Sequence, residues 1–278
     1  MIFNNKTVII TGGSEGVGAA TARLFAEAGA NLMLVARDKK KLDHIAKELR
    51  AKTQVAVIAM DVSDAEACVD VFKKAAFEFG RVDILVNNAG YHKRGLVEDV
   101  EDDDLGKIID VNLKAPIVLT RIALPYLRES GGGAIINVGS LAGRAPIPGS
   151  ATYAASKAGL RSFTYALASE LAGSNIKVAV ISPGPIDTGF IMADLDATSD
   201  LTMSQPISTA EEVAQAVLDL CGNNIRELSM PRLSGLLTTM MYLFPGLSPM
   251  VRPMLERKGA RVKAKIKAER KRDQAEER

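Results

Sequence analysis

Short runs of apolar, often β-branched residues alternate along this chain with longer stretches of helical periodicity. Thr7–Thr11, Asn31–Ala36, Val55–Ala59, Asp83–Val86, Ala134–Gly139 and Lys177–Ser182 are almost wholly apolar, the pattern of parallel strands covered on both faces. Between them the spacing predicts helices over Gly16–Ala28, Lys39–Ala51, Asp64–Phe79, Asp102–Leu127, Thr152–Ala172 and Thr209–Leu220. Ser63-Asp64-Ala65-Glu66 opens its helix with a capping residue and an early acid, and Thr209-Ala210-Glu211-Glu212 has the form of a capping box. This alternation predicts an α/β fold: a doubly wound, mostly parallel sheet with right-handed crossovers, flanked by helices. No internal repeat and no linker interrupts residues 1–230, which read as one domain.

After about residue 230 the pattern breaks. Leu233–Phe244 is strongly apolar, and Pro245, Pro249 and Pro253 follow it. The apolar run is shorter than the roughly 20 residues that cross a bilayer. It is expected to pack on the domain or on a sister subunit, or to lie at a membrane surface. Residues 255–272 form a Lys/Arg-rich helix candidate. Residues 231–278 thus read as an extension, first apolar and then basic. The chain's net charge is +2, yet residues 252–278 carry eleven Lys/Arg against five Asp/Glu, so a slightly acidic body has a basic tail. That asymmetry bears on partners and not on fold.

Composition narrows the class. With 47% hydrophobic and 24% charged residues, a disordered or collagen-like chain is excluded. Aromatics are 5% and tryptophan is absent, so Ala, Val, Ile and Leu must build the core. Cys68 and Cys221 belong to no CxxC pair, which argues against a disulfide framework or a cysteine metal site. The first residues lack the long apolar run of a secretory signal, and a reducing, cytoplasmic setting is expected.

Candidate chemistry begins where the first strand runs into Thr11-Gly12-Gly13-Ser14-Glu15-Gly16-Val17-Gly18 and a helix follows. Glycines here allow a phosphate to approach the backbone, and the helix N-terminus offers free N–H groups and a favourable dipole. Between the first strand and first helix of an α/β chain, this favours a dinucleotide site over a mere tight turn. The TGxxxGxG spacing resembles that of the short-chain dehydrogenase/reductase family. Asn87-Asn88-Ala89-Gly90 after the fourth strand, Asn112, Ser140, Tyr153-Ala-Ala-Ser-Lys157 and Pro183-Gly184-Pro185-Ile186-Asp187-Thr188 resemble the family's further motifs in order. The resemblance spans residues 5 to about 225. It implies a Rossmann-like sheet and a cofactor site built from Thr11, Gly12, Ser14, Gly16, Val17, Gly18, Asn88, Ala89, Gly90, Pro183, Ile186 and Thr188. It also implies adenine contacts from Asp61-Val62 and cofactor contacts from Tyr153 and Lys157.

Tyr153 and Lys157 are four apart on a predicted helix and share a face. A free tyrosine titrates near ~10, too high for efficient acid–base work at neutral pH, and a nearby ammonium is expected to lower it. Ser140 is placed to hydrogen-bond the substrate oxygen; the resemblance implies that Asn112 holds a water relaying protons to Lys157. These four are the candidate catalytic residues. Arg37, just beyond the second strand, can clamp a 2′-phosphate, whereas NAD-preferring relatives usually place an acid there. NADP (as NADPH in reduction) is therefore expected over NAD, with Glu15 the one residue that counts against it. His44 is placed on an exposed helix, and His92 in the loop just past Gly90. No acid–histidine cluster suggests a metal, and Ser140 has no histidine partner for a hydrolase triad.

The expected function is hydride transfer between a nicotinamide and a carbonyl or alcohol carbon. Residues 188–208 resemble the family's variable substrate loop and lack a basic cluster for an acidic substrate. The apolar segment 233–255 is expected to extend the pocket wall, as in similar tails of 3-ketodihydrosphingosine reductases and hydroxysteroid dehydrogenases, which points to an apolar or lipidic substrate. The resemblance implies a homodimer or homotetramer with contacts through residues 102–127 and 152–172. The alternative reading is a peripheral membrane-surface binding protein that retains a reductase fold, touching anionic lipid through its tail; intact Ser140, Tyr153 and Lys157 weigh against lost catalysis. Specific nucleic-acid binding is not expected, because the basic tail lacks interleaved aromatics.

Overall fold

Each apolar run becomes a strand because burial on both faces rewards a continuous apolar sequence. The computed structural model describes residues 3–192 and 194–276. Strands β1 (Thr7–Thr11), β2 (Asn31–Ala36), β3 (Val55–Ala59), β4 (Ile84–Asn87), β5 (Gly133–Val138), β6 (Ile176–Pro183) and β7 (Glu227–Met230) form one sheet in the order β3-β2-β1-β4-β5-β6-β7. Every neighbouring pair is parallel. The strand order reverses between β1 and β4, and at such a switch point the carboxyl ends of the strands diverge and leave a crevice.

Helix α1 (Gly16–Glu27) starts without a side-chain cap, whereas α2 (Lys39–Leu49) and α3 (Ala65–Phe79) start where the sequence supplies one. Asp38 accepts from the Lys41 N–H, and Asp64 from the Glu66 and Ala67 N–H groups. The long helix expected over residues 102–127 is instead α4 (Asp102–Ile109) and α5 (Ala115–Glu129), joined by a π-helical turn at Asp110–Lys114. Pro116 lacks the N–H that an uninterrupted α-helix would aim at the Asn112 carbonyl, which explains the break. Then come α6 (Ala151–Glu170), the short α7 (Gly189–Met192) and α8 (Asp200–Met203), and α9 (Ala210–Gly222), whose Thr209–Glu212 capping box forms as expected. One core joins the sheet to α1, α2 and α9 through Phe25, Leu42, Ile45, Val213 and Val217. The other joins it to α3, α5 and α6 through Phe72, Leu119, Leu127, Leu167 and Leu171.

The C-terminal segment folds back over the mouth of the crevice. Helix α10 (Arg232–Leu243) packs on β7 and on the 3₁₀ turn Leu141–Arg144, and α11 (Ser248–Glu276) packs on α8. A Cβ on Gly259 would lie 1.7 Å from the Asp200 carbonyl oxygen, so only glycine permits this approach. Val262 and Ile266 close over Ile191, Leu195 and Met203, and Lys263 pairs with Asp200 at 3.2 Å. Among the described residues, no helix is long and apolar enough to cross a membrane.

Candidate active site

A cleft of about 1060 Å³ opens at the switch point. Its floor is the glycine turn after β1. Gly12 (φ +65°) and Gly16 (φ +53°) lie in the left-handed region, and a Cβ on Gly12 would sit 2.8 Å from Asn88 Nδ2. Helix α1 starts close beneath the turn, since a Cβ on Gly18 would lie 2.0 Å from the Gly12 oxygen. Thr11 ties this floor to the next strand: its Oγ1 accepts from the Asn88 and Ala89 N–H groups, both at 3.0 Å, and donates to the Val86 carbonyl. Asn88 Nδ2 donates back to the Thr11 and Gly12 carbonyls. The result is a backbone cradle at a helix N-terminus, suited to a pyrophosphate.

Arg37 stands exposed at one lip, 4.0 Å from Asp61. Burial works to raise the Asp61 pKa, but hydrogen bonds from Ser63 and the Arg37 charge hold it below the ordinary carboxylate value. Glu15 is paired with Lys41 at 2.6 Å. The acid that counted against NADP is thus neutralised, and it brings a second cation to the same lip. Val62 and Ile186 line the wall, and Thr188 lies against Gly16. This chain therefore has the glycine floor, the helix start and the cationic lip that a phosphorylated dinucleotide requires.

At the other end of the cleft lie Ser140, which follows β5 and caps the 3₁₀ turn Leu141–Arg144, and Tyr153 and Lys157 on α6. Ser140 Oγ accepts from the Ala142 N–H at 3.1 Å, which sets its rotamer, and the Ser140 hydroxyl works to lower the Tyr153 pKa. Lys157 Nζ lies 5.8 Å from the centre of the Tyr153 ring and donates to the Val138 carbonyl at 2.8 Å. Burial pushes the Lys157 ammonium down to about 8. Burial also raises the Tyr153 phenol, while Ser140 and the Arg94 charge pull it the other way. The net direction corrects the expectation that Lys157 lowers the phenol: the same desolvation that exposes Lys157 to loss of its proton keeps Tyr153 protonated.

Three expected residues do not line the cleft: Thr11, Gly18 and Asn112. The first two shape its floor. Asn112, in the π turn and fully buried, braces the Tyr91 backbone and the catalytic helix: Oδ1 accepts from the Tyr91 N–H, and Nδ2 donates to the Tyr91 carbonyl and to Ser156 Oγ. Ser156 Oγ in turn donates to the Tyr153 carbonyl at 2.7 Å. Sequence reasoning missed several lining residues. Lys41 stands in the first turn of α2, four residues past Arg37, a signal available in the spacing. Arg94 reaches the cleft only through tertiary packing, whereas Phe190 and the α10–α11 residues Leu237, Met241, Met254 and Leu255 line it from the segments 188–208 and 233–255 expected to form the substrate loop and pocket wall. His44 is exposed on α2, whereas His92 lies stacked on the Tyr153 ring. Among the described residues no group of acids, histidines and cysteines is arranged to hold a metal.

Residues 6–198 match the short chain dehydrogenase family model. The chain is 35% identical over 228 residues to a 3-oxoacyl-acyl-carrier-protein reductase of Thermotoga maritima, covering 80% of this chain and 93% of the relative. It is 38% identical over 216 residues to sulfoacetaldehyde reductase 2 of Chromohalobacter salexigens, covering 76% and 86%. A crystal structure of a short chain dehydrogenase from Burkholderia cenocepacia in complex with NADP superposes with a TM-score of 0.76 at 32% identity, covering 82% of this chain and 97% of that one.

Proposed function

The chain belongs to the short-chain dehydrogenase family, and from that premise we propose that it is an NADP-preferring oxidoreductase of apolar carbonyl or alcohol substrates with Tyr153 as general acid–base. One observation carries the reading: Ser140, Tyr153 and Lys157 converge in the same cleft as the glycine turn. NADP, when bound, supplies or accepts the hydride. Gly12, Ser14, Gly16 and Val17 would hold its pyrophosphate, Arg37 and Lys41 its 2′-phosphate, and Asp61 and Val62 its adenine. Asn88, Ala89, Gly90, Pro183, Ile186 and Thr188 would flank the rest. The Burkholderia relative with NADP bound supports this choice.

Carbonyl reduction adds a hydride to carbon and a proton to oxygen, and the protein's share is the proton. Tyr153, held protonated by its dry surroundings, gives it, while the Ser140 hydroxyl steadies the substrate oxygen. Lys157, one turn along α6 and beside the Tyr153 ring, is the group that would replenish that proton. Because the Asn112 amide is committed to Tyr91 and Ser156, a relay water at this residue would rest on its carbonyl. The apolar wall from α10 and α11 supports an apolar or lipidic substrate. Tyr153→Phe keeps the ring and removes the donor. Turnover of a ketone panel, followed by NADPH absorbance, is expected to fall by about 10²–10⁴ in kcat; near-normal turnover by the variant rejects the assignment.

Peripheral contact with an anionic membrane is the second reading. Ten of the seventeen large apolar side chains exposed among the described residues fall between Leu233 and Met254. The exposed side of α11 beside them carries Arg257, Lys258, Arg261 and Lys265. An apolar patch joined to a polybasic helix supplies the two signals peripheral attachment needs, with each cation near an anionic surface contributing up to ~1 kcal/mol. The exposed faces of α5 and α6, which carry Ile117 and Tyr165, are the surfaces proposed for pairing into a homodimer or homotetramer.

A further inference from the structure

A buried cation stands beside the catalytic end of the cleft. Arg94, in the loop after β4, makes three contacts with the segment that follows β6. Its Nη2 donates to the Phe190 carbonyl at 3.2 Å, its Nη1 pairs with Asp194 at 3.3 Å, and the guanidinium lies 5.9 Å from the centre of the Phe190 ring. Phe190 in turn stands 6.3 Å from the Tyr153 and His92 rings, which are themselves stacked at 4.2 Å. Arg94 thus ties α7 to the loop after β4 beside the catalytic tyrosine.

The ion pair is lopsided. The Arg94 side chain is 9% exposed and that of Asp194 is 53% exposed. Water screens the exposed carboxylate more than the buried guanidinium, so the pair presents a net positive potential to the cleft. The other ionisable groups around the phenol are Lys157 on its own helix and His92 from the loop after β4, while Ser140 adds only a hydroxyl. Burial pushes His92 down to about 4 and Lys157 down to about 8. Of the three basic groups, only Arg94 keeps its positive charge on both sides of neutral pH.

We propose that Arg94 is a positioning residue for proton transfer: it pins Phe190 against the Tyr153–His92 stack, and its poorly screened charge steadies the negative charge that Tyr153 carries once its proton has left. In carbonyl reduction the Tyr153 O–H bond breaks as an O–H bond forms on the substrate oxygen, with the hydride drawn from the reduced nicotinamide, and a phenolate remains on the ring. A fixed positive potential at that place stabilises the charge as it develops and needs no reorganisation. In keeping with this, the Arg94 charge works to lower the Tyr153 pKa. The inference rests on Tyr153 as the proton-transfer group, and it adds the residue that sets the field around the phenol.

Arg94→Gln, Arg94→Lys and Asp194→Asn in the full-length protein separate charge from anchoring. Arg94→Gln and Asp194→Asn break the same ion pair, so a purely structural bridge predicts a similar loss from both. Opposite outcomes are expected instead. With the ketone that the wild-type protein turns over fastest, kcat should fall about three- to tenfold in Arg94→Gln, with NADPH affinity unchanged, and should hold or rise in Asp194→Asn, where the cation is unopposed. Arg94→Lys keeps the charge and should retain much of kcat. Equal losses in Arg94→Gln and Asp194→Asn, or a change in KM alone, overturn the proposal. The chain has no tryptophan, so Phe190→Trp places a single fluorophore beside Arg94 and reads the field without turnover. Iodide should quench its emission more than caesium does, and adding Arg94→Gln should abolish that bias. A bias that survives Arg94→Gln, or none at the outset, rejects the proposal whatever the kinetics. A bias lost as expected, in a protein whose Tyr153→Phe variant still turns over normally, keeps the Arg94 field and rejects the Tyr153 assignment on which its role depends.

Discussion

Glu227→Gln tests how the C-terminal segment is held to the catalytic loop. Glu227 begins β7 and is 8% exposed in its side chain, where Arg161 meets it at 2.9 Å and Arg144 at 3.2 Å. Tyr165 and Ser182 each donate to it at 2.8 Å. Arg144 also donates to Ser229 and to Thr239 of α10, so one carboxylate organises α6, β6, β7, α10 and the turn that follows Ser140. Breaking a buried pair by removing one partner costs about 3–5 kcal/mol. Arg161 is a third exposed and can turn to water, and glutamine keeps part of the hydrogen bonding, so the stranded charge is Arg144 alone. The expected loss is about 3 kcal/mol, the lower end of that range. For domains of roughly 150–250 residues this corresponds to a fall in Tm of about 6–12 °C, read by calorimetry. Adding Arg144→Met removes the stranded cation, so the double variant should be more stable than additivity predicts by at least ~1 kcal/mol. Burial works to raise the Glu227 pKa, but Arg161, Ser182, Tyr165 and the Arg144 charge hold it below the ordinary value. Its stabilisation is therefore present above the ordinary carboxylate range and is lost as pH falls through the lower folded value; Glu227→Gln should lack that acid-sensitive component. A single variant melting within about 2 °C of the wild type, with no coupling in the cycle, would falsify this account.

Three further outcomes follow from the site. Arg37→Ala should weaken NADPH binding by about one decade, near the low end for a charge-assisted contact because Arg37 is largely exposed, and leave NADH almost unchanged; equal losses in fluorescence titrations of both would assign Arg37 a scaffold role. Lys157 is charged below about 8 and neutral above it, so kcat/KM for carbonyl reduction should fall as pH rises through that value, and a profile flat across it removes Lys157 from the proton path. Deleting residues 257–278 strips Gly259, Val262, Lys263 and Ile266 from α8; the circular dichroism of the core should persist while KM for apolar ketones rises and sedimentation with anionic vesicles weakens. An unchanged KM would show that α11 does not shape the pocket, and a wild-type protein that stays in solution with excess vesicles at low salt ends the membrane reading.

The sequence by itself determined what depends on near neighbours. Burial on both faces makes the strand runs continuous, caps fall where Asp64 and Thr209 stand, and the glycine turn lies where β1 meets α1. The spacing of Tyr153 and Lys157 put them on one helical face. Tertiary structure decided what depends on distant charge and packing. Glu227–Met230 shows no apolar run and becomes a strand because Glu227 is held by arginines 66 and 83 residues earlier in the chain. Pro245, Pro249 and Pro253 read as breaks, yet α11 continues through Pro253, since a bond forfeited near a helix start is offset by docking on α8. Stacking set the surroundings of His92, and desolvation set the directions of the Tyr153 and Lys157 pKa values. Both come from atoms that no local pattern brings together, and so these properties became legible only once the chain was folded.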